Sequence, residues 1–190
     1  MNELEPLLAG VRLAIFDFDG VFTDNRVWTN AHGEETVACS RSDGLGLRRL
    51  DEVGVRYLIL SGETNPIVTA RAHKLGIECL QSIDDKLEAL YEAAESRGVK
   101  LTETAFLGND INDSDCLSAV GLPVVPADAW PEVAELARWV LDRRGGGVQP
   151  SSPGRTSRRG GGGGAFLVGV GRSAARRCSA VGGSGRGGGT

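Results

Sequence analysis

The chain predicts an α/β fold built on a doubly wound parallel sheet, and three observations carry that prediction. Short apolar runs alternate with segments whose apolar residues recur at helical spacing, the pattern of repeated βαβ units. Several of those runs are apolar throughout, as strands covered on both faces are. Three of them end in polar clusters, Asp17/Asp19, Ser61 and Asn109/Asp110/Asp113. A parallel sheet brings such ends to one edge, where ligands bind in open α/β sheets.

The first buried strand is expected over residues 11–16, and Asp17-Phe18-Asp19-Gly20 closes it. The β-prone runs 26–29 and 35–38 flank a Gly-containing four-residue connection and read as a hairpin. Ser42-Asp43-Gly44 can cap a helix carrying Leu47, Leu50 and Val53, which Gly54 ends. A second buried strand covers 55–60 and runs into Ser61-Gly62-Glu63. Asn65-Pro66 opens a helix closed by Gly76, with Ile67, Arg71 and Lys74 on one face. A short strand at 78–80 precedes a helix opened by Asp84 and carrying Leu87, Leu90, Tyr91 and Ala94. Residues 104–107 form the next strand and lead into Gly108-Asn109-Asp110-Ile111-Asn112-Asp113. A helix through Cys116, Leu117 and Val120, a strand at 122–125 and a helix over 131–141 complete the pattern.

Composition divides the chain in two. Residues 1–144 hold 14 Lys and Arg against all 25 acidic residues, whereas residues 145–190 hold seven Arg, no acid and 17 of the 28 glycines. The first part is a domain of ordinary size. The second is Gly/Arg/Ser-biased, cannot bury a core, and is expected to be disordered. Its abrupt onset is also what a shifted reading frame in a G-rich gene would produce. There is no run of about 18 apolar residues, so no transmembrane helix is expected. The first ten residues are acidic and carry no basic run, so no signal peptide is expected either. The four cysteines are scattered, which suits reduced thiols in a cytoplasmic protein. His32 and His73 stand alone, which argues against a zinc site or a Ser-His pair.

Asp17 and Asp19 are two residues apart, so an extended backbone puts both on one side. Unpaired, they would repel and raise each other's pKa. A hard divalent cation such as Mg²⁺ relieves that. An Asp-Gly turn after a strand would show the same letters; the motifs further along the chain separate the two. Lys86 falls in the first turn of its helix, where the macrodipole disfavours a cation. Either an ion pair with Asp84 or Asp85, or a phosphoryl group, would compensate it.

Taken together, DFDGVFTD, Ser61 after the second strand, Lys86 at a helix start and GNDIND resemble the haloacid dehalogenase superfamily of phosphatases. The resemblance implies that Asp17 is the nucleophile and Asp19 the general acid and base. It implies phosphoryl contacts from Ser61 and Lys86, and Mg²⁺ held by Asp17, the Asp19 carbonyl and the loop of Asn109 and Asp110. Many members carry Asp where this chain has Asn109, so Asp110 or Asp113 is left to supply the missing charge, directly or through hydrogen bonds. A short hairpin stands in place of a cap domain. The segments GEETVACSRSDGLG and Val125-Pro126-Ala127-Asp128-Ala129 are similar to the capless subfamily acting on 3-deoxy-2-keto sugar acids. That subfamily includes octulosonate 8-phosphate and nonulosonate 9-phosphate phosphatases and the phosphatase-like domain of sialate cytidylyltransferases. It implies homotetramers in which a neighbour's hairpin covers the site, and substrate contacts from Gly62, Glu63, Arg71 and Lys74. The Glu63, Arg71, Lys74 spacing is similar to the nine-carbon type, although charges at i and i+3 on a surface helix are ordinary. A non-catalytic assembly module is the competing expectation. A receiver domain ranks lower, because it does not require Asp19. Nucleic acid is not expected as a partner.

Overall fold

The computed structural model describes residues 4–146. Helix α1 (Leu4–Gly10) leads into β1 (Leu13–Phe16), and the hairpin of β2 (Trp28–Thr29) and β3 (Glu35–Thr36) comes next. Then come α2 (Asp43–Glu52), β4 (Arg56–Leu60), α3 (Ile67–Leu75), β5 (Glu78–Leu80) and α4 (Lys86–Glu95). The chain continues through β6 (Thr104–Leu107), α5 (Ser114–Ala119), β7 (Leu122–Val125), α6 (Pro131–Ala134) and β8 (Trp139–Val140). Six strands form one sheet in the order β5-β4-β1-β6-β7-β8, and every neighbouring pair is parallel. β1 lies between β4 and β6, with Phe16 opposite both Ile59 and Leu107. The loops after these three strands therefore start level with one another.

Helices cover both faces, as the fully apolar strands require. Ala14 and Phe16 of β1 pack with Leu47 and Leu50 of α2 and with Val68 and Ala72 of α3. Leu13 and Ile15 face the other way, onto Leu90 and Ala93 of α4 and Cys116 and Leu117 of α5. The period of two thus splits one strand between two cores. Each large side chain buried in this way contributes roughly 1.5–3 kcal/mol.

The helix expected over 131–141 is shorter than its periodicity suggests. It ends at Ala134, and Trp139–Val140 is a sixth parallel strand on β7. The exposed edge of β7 offers carbonyls that a helix would leave unpaired. Arg138 N–H donates to Pro123 O at 3.0 Å and Leu141 N–H to Val125 O at 2.8 Å. Val133 and Leu141 are buried as expected, while Leu136 and Val140, assigned to the same helix face, are exposed. Caps also differ in detail. Asp85, not Asp84, caps α4 by accepting from Glu88 N–H at 2.9 Å, and the Ser42 hydroxyl pairs with Ser40 Oγ instead of capping α2. Asn65 does serve α3, accepting from Ile67 N–H at 3.1 Å.

Gly145 and Gly146 pack on the loop after β1. Gly146 N–H donates to Val21 O at 3.1 Å and Gly145 N–H to Asp128 Oδ1 at 3.0 Å. A Cβ on Gly145 would lie 1.9 Å from Gly20 O, so the approach needs glycine. The remainder of the Gly/Arg-rich segment, expected to lack a fold, lies outside the described residues. Among the described residues no helix is long and apolar enough to cross a membrane. Cys39, Cys79 and Cys116 are free thiols, and burial pushes Cys116 up to about 12; Cys178 lies outside the described residues.

Candidate active site

The level ends of β1, β4 and β6 open into a cleft of about 270 Å³ lined by Asp17, Asp19, Asn25, Ser61, Gly62, Glu63, Lys86, Asn109, Asp110 and Asn112. The strand-end residues singled out in the sequence are thus brought together from positions up to 93 apart in the chain, Asp17 to Asp110.

Asp17 extends the β1 ladder by one bond, its N–H donating to Leu107 O at 2.9 Å. The chain then turns back on itself, with Phe22 N–H on Phe18 O at 2.9 Å. Gly20 makes the turn at φ +72°, and the Asn109 amide would lie 2.1 Å from any Cβ there. Ser61 is tied to the end of β5 through its N–H on Leu80 O at 2.9 Å. Its hydroxyl oxygen accepts from Glu63 N–H at 3.1 Å, which leaves the hydroxyl proton available to the cleft. Glu63 Oε1 accepts from Asn65 N–H at 2.7 Å, and Asn65 Nδ2 donates to Glu35 Oε2 at 3.0 Å. The hairpin is thereby tied to the cleft loop.

Lys86 is the first residue of α4 and is 7% exposed. It pairs with neither Asp84 nor Asp85, the partners its local sequence offers. Its Nζ donates instead to Asp17 Oδ1 at 3.0 Å and to Asp113 Oδ1 at 2.8 Å. Asp113 is fully buried, and its second oxygen accepts from Asn109 N–H at 2.9 Å and Asp110 N–H at 3.2 Å. Asp113 thus holds both the lysine and the Asn109-Asp110 loop. Asp110 Oδ1 accepts from Ile111 N–H at 2.6 Å.

Charge is concentrated and under-compensated. Burial pushes the Asp17 carboxyl up to about 7; the Asp113 charge adds to this and Lys86 opposes it. Asp19 is also raised, by burial first, with the Thr23 hydroxyl opposing and Glu63 and Glu35 adding. Burial alone would lower Lys86, but Asp17 and Asp113 outweigh it and hold the ammonium above its usual range.

Among the described residues no group of three or more His, Cys, Asp or Glu side chains is disposed to hold a metal ion. The donors in the cleft are more varied. Asn109 Oδ1 is buried without a hydrogen-bond partner, and Asn109 lines the same cleft as the Asp17 carboxylate. Buried acceptors are ordinarily paired. An orphaned amide oxygen next to an excess of negative charge suits a hard divalent cation.

Arg71 and Lys74 do not line the cleft. The Arg71 guanidinium pairs with Asp43 Oδ2 at 3.0 Å and with the Ser40 carbonyl, joining α3 to the start of α2. Lys74 is exposed on α3. Conversely Thr23, Asn25 and Asn112, to which the sequence assigned no role, lie at or beside the site. Thr23 and Asn112 fall within the DFDGVFTD and GNDIND stretches, which was the available signal, and Asn25 directly follows the first of them.

Residues 59–145 match the family of haloacid dehalogenase-like hydrolases. The 3-deoxy-D-manno-octulosonate 8-phosphate phosphatase of Yersinia pestis is 34% identical over 139 residues, which are 73% of this chain and 74% of that protein. N-acylneuraminate cytidylyltransferase A of Danio rerio is 38% identical over 128 residues, 65% of this chain; the chain spans only 29% of that relative's length. Among solved structures, the octulosonate 8-phosphate phosphatase of Moraxella catarrhalis, in complex with magnesium, phosphate and the sugar acid, superposes with a TM-score of 0.78 at 25% identity. The match covers 96% of this chain and 98% of that one.

Proposed function

Because the chain belongs to the haloacid dehalogenase-like hydrolases, beside the octulosonate 8-phosphate phosphatases, we propose that it is a Mg²⁺-dependent phosphomonoesterase acting on a phosphorylated 3-deoxy-2-keto sugar acid. The observation that carries this is Lys86 Nζ bridging Asp17 and Asp113 beneath the cleft. A buried carboxylate is held there by one of its oxygens next to a fixed cation. The carboxylate of Asp17 attacks phosphorus, and the ester P–O bond breaks as the Asp17 O–P bond forms. Asp19 gives its proton to the departing alkoxide, then takes one from the water that cleaves the aspartyl phosphate. Ser61 and Lys86 donate to the phosphoryl oxygens, where fixed donors lower the barrier most.

Asp17, the Asp19 carbonyl and Asn109 would hold the Mg²⁺, with Asp113 orienting the loop that carries Asn109. Asp110 stands in reserve on the same loop. The ion supplies the positive charge that lets a phosphate dianion approach a carboxylate. Glu63 faces the cleft and accepts from substrate hydroxyls. Arg71, engaged by Asp43, and Lys74, exposed, would meet a sugar acid only as part of an assembly. Val27 and Trp28 are 50% and 56% exposed on the hairpin, which supports a homotetramer in which one copy's hairpin closes the cleft of another. The catalytic unit is residues 1–144, with Gly145 and Gly146 packed on its β1 loop and the rest of the Gly/Arg-rich segment outside it.

A second reading has its own support. The likeness to a cytidylyltransferase over a minor part of that protein, with Asn109 uncharged, suits a non-catalytic assembly module. Phosphate release from octulosonate 8-phosphate and nonulosonate 9-phosphates, with and without Mg²⁺, separates the two. Mg²⁺-dependent release supports the enzyme; none from either, in folded protein, supports the module.

A further inference from the structure

The Thr23 hydroxyl sits under the candidate acid–base carboxyl with all of its hydrogen-bonding capacity assigned. Thr23 is 0% exposed. Its oxygen accepts from Gly20 N–H at 3.2 Å and from Asn25 N–H at 3.2 Å. A hydroxyl has two acceptor sites and one proton. Both acceptor sites are taken by N–H groups that can only donate. The single proton is therefore directed to Asp19 Oδ1, 3.3 Å away. That is long for an O–H···O contact, as catalytic contacts commonly are before substrate binds. The polarity of the bond is fixed by backbone groups and cannot reverse when Asp19 changes protonation state.

We propose that Thr23 is a positioning residue for the Asp19 carboxyl, marking Oδ1 as the acceptor oxygen and leaving Oδ2 to carry the proton exchanged with the leaving group and with water. In the first half-reaction the proton passes from Oδ2 to the leaving alkoxide as the ester P–O bond breaks. In the second, a water proton returns to Oδ2 as the water oxygen bonds phosphorus and the Asp17 O–P bond breaks. Through both, Oδ1 stays on the Thr23 hydroxyl, so the carboxyl presents the same oxygen twice. The β-branched side chain adds to this, because its χ1 is restricted where that of serine is not.

The turn does not depend on the hydroxyl alone. Phe22 N–H on Phe18 O at 2.9 Å and Gly146 N–H on Val21 O at 3.1 Å hold it from the backbone. Thr23→Val, of nearly the same shape, is therefore a usable probe. The inference rests on the phosphomonoesterase reading, and failure of that reading shows separately, as wild-type protein that releases no phosphate from any ester. The test compares two leaving groups in the wild type, Thr23→Val and Thr23→Ser. One is the alkoxide of whichever sugar-acid phosphate the wild type hydrolyses; the other is p-nitrophenolate, which departs without a proton. Thr23→Val should lower kcat on the sugar-acid phosphate by about 10–100-fold, with KM within about threefold. Its first-turnover burst of p-nitrophenolate should stay within about threefold of wild type, and Thr23→Ser should recover most of the lost turnover. Thr23→Ala carries the same comparison should the valine variant not fold. Equal slowing of the sugar-acid turnover and of the p-nitrophenolate burst, sugar-acid turnover within about threefold of wild type, or a serine variant no better than valine would each overturn the proposal.

Discussion

Replacing Lys86 by Met removes a buried ammonium and leaves its stem in place. Nζ lies 3.0 Å from Asp17 Oδ1 and 2.8 Å from Asp113 Oδ1. At an effective dielectric of about 20 each contact is worth roughly 5–6 kcal/mol of attraction, offset by the cost of burying the ions. Removing one partner of a buried pair leaves the others uncompensated, and the net loss is then about 3–5 kcal/mol. Here two carboxylates would face each other without a counter-ion. The loss should depend on pH in a definite direction. Without Lys86 the Asp17 pKa, already raised, rises further, so the folded variant takes up a proton more readily than the unfolded chain. Its deficit against wild type should therefore be small near pH 5 and largest near pH 8. Thermal melting in EDTA would show this as a gap of roughly 10–20 °C at pH 8, narrowing on acidification. Adding Asp113→Asn should recover part of it. A gap under about 3 °C at pH 8, or one that does not change with pH, would refute the placement of Lys86 between two ionised carboxylates.

The metal-free wild type has its own pH signature. A carboxyl whose folded pKa exceeds its unfolded value stabilises the fold fully below the unfolded value and gives that up as pH rises through the folded one. Asp17, raised from 3.8 to about 7, should make the apo protein melt progressively lower across that window, with Asp19 and Asp43 acting in the same direction; Asp17→Asn should flatten the slope. Gly20→Ala meets both a φ of +72° and the Asn109 amide at 2.1 Å. Chemical denaturation should show a loss of about 1–2 kcal/mol or more, together with lower activity. Asn109→Asp adds a charge at the orphaned oxygen and should tighten Mg²⁺ binding by about tenfold in calorimetry. Unchanged or weaker binding would remove Asn109 from the proposed ligand set.

Most of the sheet was legible because buried parallel strands write themselves as apolar runs, and because Asp17, Ser61 and Asn109 mark their ends. Lys86 was legible as a helix-start cation out of place on its dipole. Its partners were not, since Asp17 and Asp113 reach it through the fold. The ion pair of Arg71 was hidden for the same reason: its partner Asp43 is 28 residues away, and no local spacing reports it. The terminal strand was hidden because Val133, Leu136, Ala137, Val140 and Leu141 do recur at helical spacing. What breaks that helix is the unpaired edge of β7, a tertiary demand that outweighs local period. Thr23 went unassigned because a hydroxyl in a loop is ordinary until its three partners are seen around it.

The most direct test of the central claim is to trap the covalent state. The protein, with Mg²⁺ and a sugar-acid phosphate it hydrolyses, would be quenched in acid within the first turnover, digested, and its peptides weighed. One phosphoryl group on the peptide containing Asp17, acid-stable, labile to hydroxylamine and absent from Asp17→Asn, is the predicted result. Rapid phosphate release with no phosphoryl on any peptide, or with the label on another residue, would contradict nucleophilic attack by Asp17.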